Sequence, residues 1–178
     1  MLDRKIIAQN ITNLTDARYF AAWGVDYISF NIIPESAFYV TLDTIKEIKD
    51  WVEGPDCLVE SNALEFLEFA DGHILSNIYS SLPLNKVAFF RVPYIDVIKG
   101  LPAGKYIVKA SDDQLSNLKN LPNDKLIGLD MYLDVTDLPI DNFDAWPDWG
   151  FVIQGGDEEK TGLKSYDDLD KLYDLLMP

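Results

Sequence analysis

The sequence contains very few of the side chains that crosslinks and metal sites require. Among its 178 residues there is one cysteine, Cys57, and one histidine, His73. A single cysteine cannot form an intramolecular disulfide, and the usual zinc sites need a larger set of cysteine and histidine ligands. Cys57 lies in an apolar run, which favours a reduced and buried thiol. We therefore predict no metal site, and nothing in the sequence implies a cofactor.

Basic residues and long apolar runs are also scarce. The chain has 15 lysines and arginines against 30 aspartates and glutamates, a formal charge of -15. Such a surface repels nucleic acid and anionic lipid, so neither is an expected partner. No apolar run reaches the ~20 residues of a membrane-spanning helix, and the N-terminus lacks the apolar segment of a signal peptide. These absences predict a cytoplasmic protein with no membrane partner.

Hydrophobic residues, which form the core of a folded domain, are abundant. Hydrophobic residues make up 48% of the chain and charged residues 25%, a balance typical of a globular protein. A chain of this length fits one domain, and no linker or low-complexity tract divides it. We predict a single domain over residues 1–178. The sequence carries no signal for an oligomeric state.

Short apolar runs recur at a regular spacing and predict eight strands. Most contain Val, Ile, Phe or Tyr with little polar alternation, as expected of parallel strands that are covered on both faces. The predicted strands are Lys5–Gln9, Tyr27–Ile32, Asp56–Glu60, His73–Asn77, Val87–Val92, Tyr106–Lys109, Leu126–Tyr132 and Phe151–Gln154.

Helix signals lie between these strands. Capping residues predict helices that begin after Asn13, Thr41, Asn62, Ser111 and Ser165. Alternating strands and helices of this kind predict an α/β fold with a parallel sheet. Eight units predict a (β/α)8 TIM-type barrel. Because such barrels usually have ~250 residues, we expect a compact one in which some helices are short or missing.

In a barrel of this type, functional residues lie at the carboxyl ends of the strands. Polar residues and glycines at or near those ends form the candidate set. Its members are Gln9, Asn10, Asn31, Glu60, Asn77, Arg91, Lys109, Asp130, Gln154, Gly155 and Gly156. From this set we predict that Gln9, Asn31, Glu60, Arg91, Gly155 and Gly156 bind substrate.

Asp130 and Lys109 are the predicted catalytic residues. Asp130 interrupts an apolar run, where an ionised carboxylate is costly without a partner. It is either an acid or base at the barrel mouth or one half of an ion pair with Lys109. Lys109 ends its own apolar run, so a Schiff base with a carbonyl substrate is a further alternative. Gly155 and Gly156 could bring backbone N–H groups to a phosphate, so a small anionic metabolite is the expected partner.

Several segments resemble phosphoribosylanthranilate isomerase, a (β/α)8 enzyme of tryptophan biosynthesis. The resemblance is carried by Ile11–Ala17, Gly24–Phe30 and Ser36–Val40 near the N-terminus. Near the C-terminus it is carried by Gly156, Glu158, Gly162 and Lys164, at the family's spacing. The resemblance implies a barrel fold and an Amadori rearrangement of an aminoaldose phosphate. In that family a cysteine at the end of strand one is the general base and an aspartate on strand six is the general acid.

This sequence departs from the family at the residues that carry the reaction. Gln9 and Asn10 stand where the family has its cysteine and the following glycine, and an amide cannot take up a proton near neutral pH. Phe38 replaces the arginine that holds the substrate carboxylate. Asp130 has surroundings like those of the general acid, although it falls on the seventh predicted strand.

Three functions remain open at this point, and the chain is not assigned as an enzyme; one of them is a Schiff-base aldolase that uses Lys109, and the other two are as follows. The first is a diverged isomerase-like barrel without the isomerase activity, a pseudoenzyme that binds a small metabolite or a protein partner. The second is an active isomerase or lyase on a sugar phosphate, using Asp130 with Lys109, Glu60 or Arg91. If the protein is an enzyme, the resemblance implies an isomerase.

Overall fold

Eight parallel strands close into a barrel in which every strand pairs with its neighbours in chain order. A computed structural model describes residues 4–62, 67–76, 86–138, 148–155, 158–160, 163–164 and 166–176. The barrel strands are β1 Ile6–Gln9, β2 Tyr27–Asn31, β3 Asp56–Ser61, β4 Gly72–Leu75, β5 Val87–Pro93, β6 Gly104–Lys109, β7 Leu129–Asp134 and β8 Gly150–Gln154. The pairing of β1 with β8 closes the ring. The predicted (β/α)8 fold is confirmed.

Five α-helices lie within the described residues. They are α1 Leu14–Trp23, α2 Leu42–Trp51, α3 Tyr94–Lys99, α4 Asp112–Lys119 and α5 Asp167–Leu176. The side chain of Asn13 caps α1 by accepting a hydrogen bond from the Asp16 N–H, and Gly24 ends the helix with a φ of 77°. The predicted helix after Asn62 falls partly on residues 63–66, outside the described residues, and Leu67–Ala70 form a turn. None of these helices is long and apolar enough to cross a membrane.

A short antiparallel pair, β9 Glu158–Lys160 and β10 Leu163–Lys164, follows the barrel. It precedes α5, whose Leu172 and Leu176 are buried. Buried apolar side chains between the barrel and its helices form the larger core cluster, which includes Phe20, Phe30 and Cys57. Cys57 is buried, as predicted. Burial raises the pKa of its thiol to about 12.

The barrel interior holds a second core cluster that takes one residue from each of seven strands. Its members are Ile7, Leu58, Ile74, Phe89, Ile107, Tyr132 and Val152, all fully buried. Because side chains alternate between the two faces of a strand, residues two positions away from these also face the interior. The interior is therefore layered, with this apolar layer between a polar layer at the carboxyl ends and, at the amino ends, a layer that mixes Lys5, Lys105 and Asp130 with glycines and Val87.

Tyr132 is the largest polar side chain in the apolar layer. Gly150 leaves room for its ring, since a Cβ at that position would lie 2.4 Å from Tyr132 Cδ1. The ring packs edge-on against Phe89, with 5.2 Å between their centroids. Burial raises the pKa of the Tyr132 hydroxyl, and no described residue forms a hydrogen bond with that oxygen.

Tyr132→Phe is expected to leave the fold intact and to raise the free energy of unfolding by about 1 kcal/mol. The substitution removes a buried hydroxyl whose desolvation costs about 1–3 kcal/mol when it has no partner, and it keeps the ring. Urea unfolding of the two proteins measures the difference. A loss of stability would show that the hydroxyl has a partner, such as a buried water molecule.

The largest difference between predicted and observed strands is at β7. The sequence predicts a strand over Leu126–Tyr132, whereas β7 spans Leu129–Asp134 and Asn123–Leu126 form a 3-10 turn. Gly128 lies between them with a φ of 78°, a conformation that interrupts an extended run. The strand therefore starts and ends later than predicted, which moves its carboxyl end to Asp134.

Candidate functional site

The polar layer at the carboxyl ends lines a cavity of about 630 Å³. The residues two positions after the apolar layer on β1, β3, β5, β6, β7 and β8 face the barrel axis and form half of the lining, and β2 and the loops after the strands supply the rest. The lining residues are Gln9, Asn10, Asn31, Phe38, Glu60, Arg91, Lys109, Asp134, Thr136, Asp137, Gln154 and Gly155. The cavity lies where functional sites occur in barrels of this type.

Arg91, two residues before the end of β5, is at the centre of this layer. Its Nε and Nη2 donate to the two oxygens of Glu60 over 2.9 and 3.0 Å, a bidentate pair across β3 and β5. Its Nη1 donates to Asp134 Oδ2 over 3.0 Å, and Nη2 also donates to Gln9 Oε1 over 2.9 Å. One guanidinium therefore joins residues from four strands.

The carboxylates around Arg91 are buried more deeply than the arginine. The Glu60 and Asp134 side chains are 9% and 3% exposed, compared with 25% for Arg91. Burial acts to lower the pKa of Arg91, but the charges and hydrogen bonds of Glu60 and Asp134 outweigh it, and the pKa is raised. The guanidinium therefore keeps its charge and neutralises one of two carboxylates.

Asp134 has its remaining acceptors occupied by its own turn. The Thr136 N–H donates to Asp134 Oδ1 over 3.2 Å, and Thr136 Oγ1 donates to the same oxygen over 2.7 Å. Gln9 Nε2 lies 3.4 Å from Asp134 Oδ2. Gln9 therefore contacts both charges of the network through its amide, which orients these groups and cannot remove a proton.

A second group of polar side chains lies where β1 and β8 pair. Asn10 Nδ2 donates to Gln154 Oε1 over 2.7 Å, beside Gly155. Asn10 has a φ of 58° and is, within the described residues, the one residue other than glycine with a positive φ. Asparagine tolerates this conformation better than most residues, and its bond to Gln154 holds the chain turned at the cavity.

The loop after β2 contributes Asn31 and Phe38. Asn31 Oδ1 accepts a hydrogen bond from the Ile33 N–H over 2.9 Å, and the Val40 N–H donates to the Asn31 carbonyl over 2.9 Å. These bonds fold the loop back on the strand end and bring the half-buried Phe38 to the cavity. One wall of the polar site therefore carries an aromatic ring.

Lys109, the last residue of β6, forms an exposed ion pair with Asp137 at 2.5 Å. The hydrogen bond to Asp137 raises the pKa of Lys109, and the nearby Asp134 carboxylate adds to the effect. A lysine that forms a Schiff base needs a lowered pKa, so this shift opposes that alternative. The catalytic role of Lys109 stays a prediction.

The predicted position of Asp130 at the barrel mouth is wrong. Asp130 is the second residue of β7 and lies four residues before Asp134, roughly 13 Å along the strand towards the amino end. There it forms ion pairs with Lys105 and Lys5 rather than with Lys109. The carboxylate of β7 at the mouth is Asp134, which faces the interior like Asp130 because the two are an even number of residues apart.

Five of the predicted substrate-binding residues line the cavity, namely Gln9, Asn31, Glu60, Arg91 and Gly155. Their binding roles stay predictions, and Gly156 and Asn77 lie outside the described residues. Asp134, Thr136 and Asp137 were not among the candidates. Counting two residues on from the apolar Tyr132 identifies Asp134, whereas no sequence signal identifies the turn that adds the other two.

Within the part of the chain that the structure describes, no group of three or more histidine, cysteine or carboxylate side chains could hold a metal ion. The carboxylates at the mouth are engaged by Arg91 and Thr136 instead. The arrangement at the mouth is therefore an ion-pair and amide network beneath an open cavity.

Comparison with known proteins identifies the fold. No protein-family model matches the chain, and no curated protein matches it. A solved structure of generated monomers of the dimeric phosphoribosylanthranilate isomerase from Thermotoga maritima is 16% identical to this chain with a TM-score of 0.70, covering 96% of each chain. A phosphoribosylanthranilate isomerase in complex with reduced 1-(o-carboxyphenylamino)-1-deoxyribulose 5-phosphate is 14% identical with a TM-score of 0.68, again covering 96% of each.

A citrate synthase variant has the same fold, with a TM-score of 0.57 and 13% identity over 98% of this chain and 91% of its own. The resemblance noted in the sequence is thus confirmed at the level of the fold. Because proteins with different chemistry share this barrel, the fold does not decide the function.

Proposed function

We propose that this chain is a diverged relative of the phosphoribosylanthranilate isomerases that has lost the isomerase reaction and binds a small metabolite at the barrel mouth. The observation that carries the proposal is the engagement of Arg91 by Glu60, Asp134 and Gln9. This network occupies the region in which the family's base and acid would have to act.

The residues at the two catalytic positions support the loss of the reaction. Gln9 ends β1, where the resemblance implies a cysteine base, and Lys109 ends β6, where it implies an aspartate acid. An amide does not take up the substrate proton, and a lysine with a raised pKa is a poor acid near neutral pH. Neither half of the acid–base pair is therefore present.

The cavity supports a small ligand rather than a protein partner. Its volume of about 630 Å³ is within the range typical of small-molecule sites, and polar groups from several strands converge on it. A cytoplasmic location is part of the same proposal, supported by the buried free thiol of Cys57.

The test is turnover of phosphoribosylanthranilate by the purified protein, followed through its fluorescence, with the Thermotoga maritima isomerase as positive control. We expect no turnover above background. Gln9→Cys is also expected to be inactive, because the new thiol lacks a matching acid and lies beside the Arg91 network. Turnover by the unmodified protein that disappears in Asp134→Asn would refute the loss of the reaction.

A further inference from the structure

The cavity at the mouth has an unusual balance of charge and hydrogen-bonding groups. Three carboxylates, Glu60, Asp134 and Asp137, and two cations, Arg91 and Lys109, line it, which leaves one excess negative charge. Both cations are already paired with carboxylates. Among the described lining residues, a phosphate or carboxylate ligand would therefore meet no unpaired cation and a net charge of its own sign.

Some donors and some acceptors in the cavity form no hydrogen bond with another described residue. Asn31 Nδ2 and Gln154 Nε2 are donors with no bond to another described residue, since only the oxygens of these amides are engaged. The bonds of Arg91 use four of the five N–H groups of a guanidinium. Asn10 Oδ1 and Thr136 Oγ1 remain as acceptors.

Donors and acceptors in the same cavity select the chemistry of the ligand. A hydroxyl group both donates and accepts, an ammonium group only donates, and an ionised phosphate only accepts. A phosphate would leave Asn10 Oδ1 and Thr136 Oγ1 without a donor, and an amine would leave the donors of Asn31 and Gln154 without an acceptor. Each polar group left unpaired in a desolvated complex weakens binding.

Phe38 contributes an apolar surface beside these polar groups. Its ring is half-buried in the loop that Asn31 holds against the strand end. Sugars and cyclic polyols have hydroxyl groups at their edges and carbon-bound hydrogens on their faces, so an aromatic ring can cover a face while amides bind the edge. The positive φ of Asn10 at the same cavity is a local conformation of the kind found at binding sites.

We propose that the mouth binds a neutral polyhydroxylated compound, a sugar or cyclic polyol, and discriminates against its phosphorylated and amino counterparts. This inference rests on the proposed function in locating the ligand at the barrel mouth, and it replaces the anionic metabolite expected from the sequence. The carboxamides of Asn10, Asn31 and Gln154 supply the specificity, and the Arg91 network forms the polar floor beneath them.

The experiment uses matched compounds that differ in charge at one position. Glucose, glucose 6-phosphate and glucosamine form one such set, ribose and ribose 5-phosphate a second, and myo-inositol and its monophosphate a third. Saturation-transfer NMR on the purified protein detects binding, and isothermal titration gives the Kd. We expect at least one neutral compound to have a Kd about tenfold lower than those of its charged counterparts, which is the size of effect that one hydrogen bond produces.

Two variants locate the site. Asn31→Asp keeps the oxygen that accepts the hydrogen bond from the Ile33 N–H but replaces the Nδ2 donor with a second oxygen. We expect it to raise the Kd of the neutral compound about tenfold or more. Asn120→Asp makes the same change on the exposed residue after α4, and it is expected to leave the Kd unchanged.

Tighter binding of the phosphates or of glucosamine, no saturable binding by any neutral compound, or equal effects of the two variants would each overturn the assignment. These outcomes are distinct from failure of the proposed function. That failure appears as isomerase turnover, which the sugar-binding measurements do not report.

Discussion

Arg91→Met is expected to lower the free energy of unfolding by about 3 kcal/mol, the lower end of the range for breaking a buried ion pair from one side. The substitution keeps an unbranched side chain of similar length and removes only the charge and the donors. Glu60 and Asp134 then stay in the barrel with two negative charges and no cation between them. The open cavity above Arg91 admits water, which places the loss at the lower end of the range.

Urea unfolding of Arg91→Met and two companion variants separates the charge effect from packing. Adding Glu60→Gln and Asp134→Asn to Arg91→Met is expected to recover much of the loss, because the remaining groups are neutral. Arg18→Met removes an exposed arginine that lies 5.8 Å from the Trp51 ring, and it is expected to cost less than about 1 kcal/mol. An Arg91→Met protein as stable as Arg18→Met would show that the network contributes little.

Phe89→Ala is expected to lower the free energy of unfolding by about 3–5 kcal/mol, the usual cost of removing a buried ring. Phe89 is fully buried in the apolar layer of the barrel. Its ring packs edge-on against both Tyr27 and Tyr132, with centroids 5.2 Å away in each case. The barrel strands are hydrogen-bonded on both sides, so the surroundings cannot collapse to fill the cavity.

Urea unfolding again measures the loss, with Phe89→Leu as the matched control. Leucine keeps much of the buried carbon surface, so its loss is expected to be the smaller of the two. Tyr132→Phe, in the same layer, is expected to change stability in the opposite direction. If Phe89→Ala cost less than about 1 kcal/mol, the interior layer would have to repack, contrary to the rigidity expected of a closed barrel.

Neither stability prediction depends on the proposed function. The Arg91 network is a structural feature in any case, because removing its cation leaves buried charge. The functional proposal adds that the same network prevents the isomerase reaction. The isomerase structures and the citrate synthase variant compared above share the barrel at 13–16% identity, so the likeness bears on the fold and not on the reaction.

The positions of the strands were largely readable from the sequence. All eight predicted strands overlap the observed ones, and the polar residues predicted at strand ends include Gln9, Glu60, Arg91 and Lys109, which line the mouth. This succeeded because a short apolar run and the polar residue that ends it are local properties of the chain.

The error at β7 has an equally local cause. The run Leu126–Tyr132 looks like a strand that ends soon after Asp130, since Gly128 is small enough to be tolerated in such a run. The positive φ of Gly128 breaks the run, and the strand begins at Leu129. Because the observed strand begins three residues later than the predicted one, Asp130 lies at the amino end of the barrel, and Asp134 takes the place at the carboxyl end that was predicted for Asp130.

Local patterns in the chain were thus sufficient for the fold class, the approximate strand positions and most of the polar residues at the mouth, because apolar runs and capping act over a few residues. The partners within that set depend on the closure of the barrel. Arg91 meets Glu60, Asp134 and Gln9 because the ring brings the ends of four strands, up to 125 residues apart in the chain, within one hydrogen bond of each other. No local pattern encodes contacts over such separations, and these contacts define the candidate site.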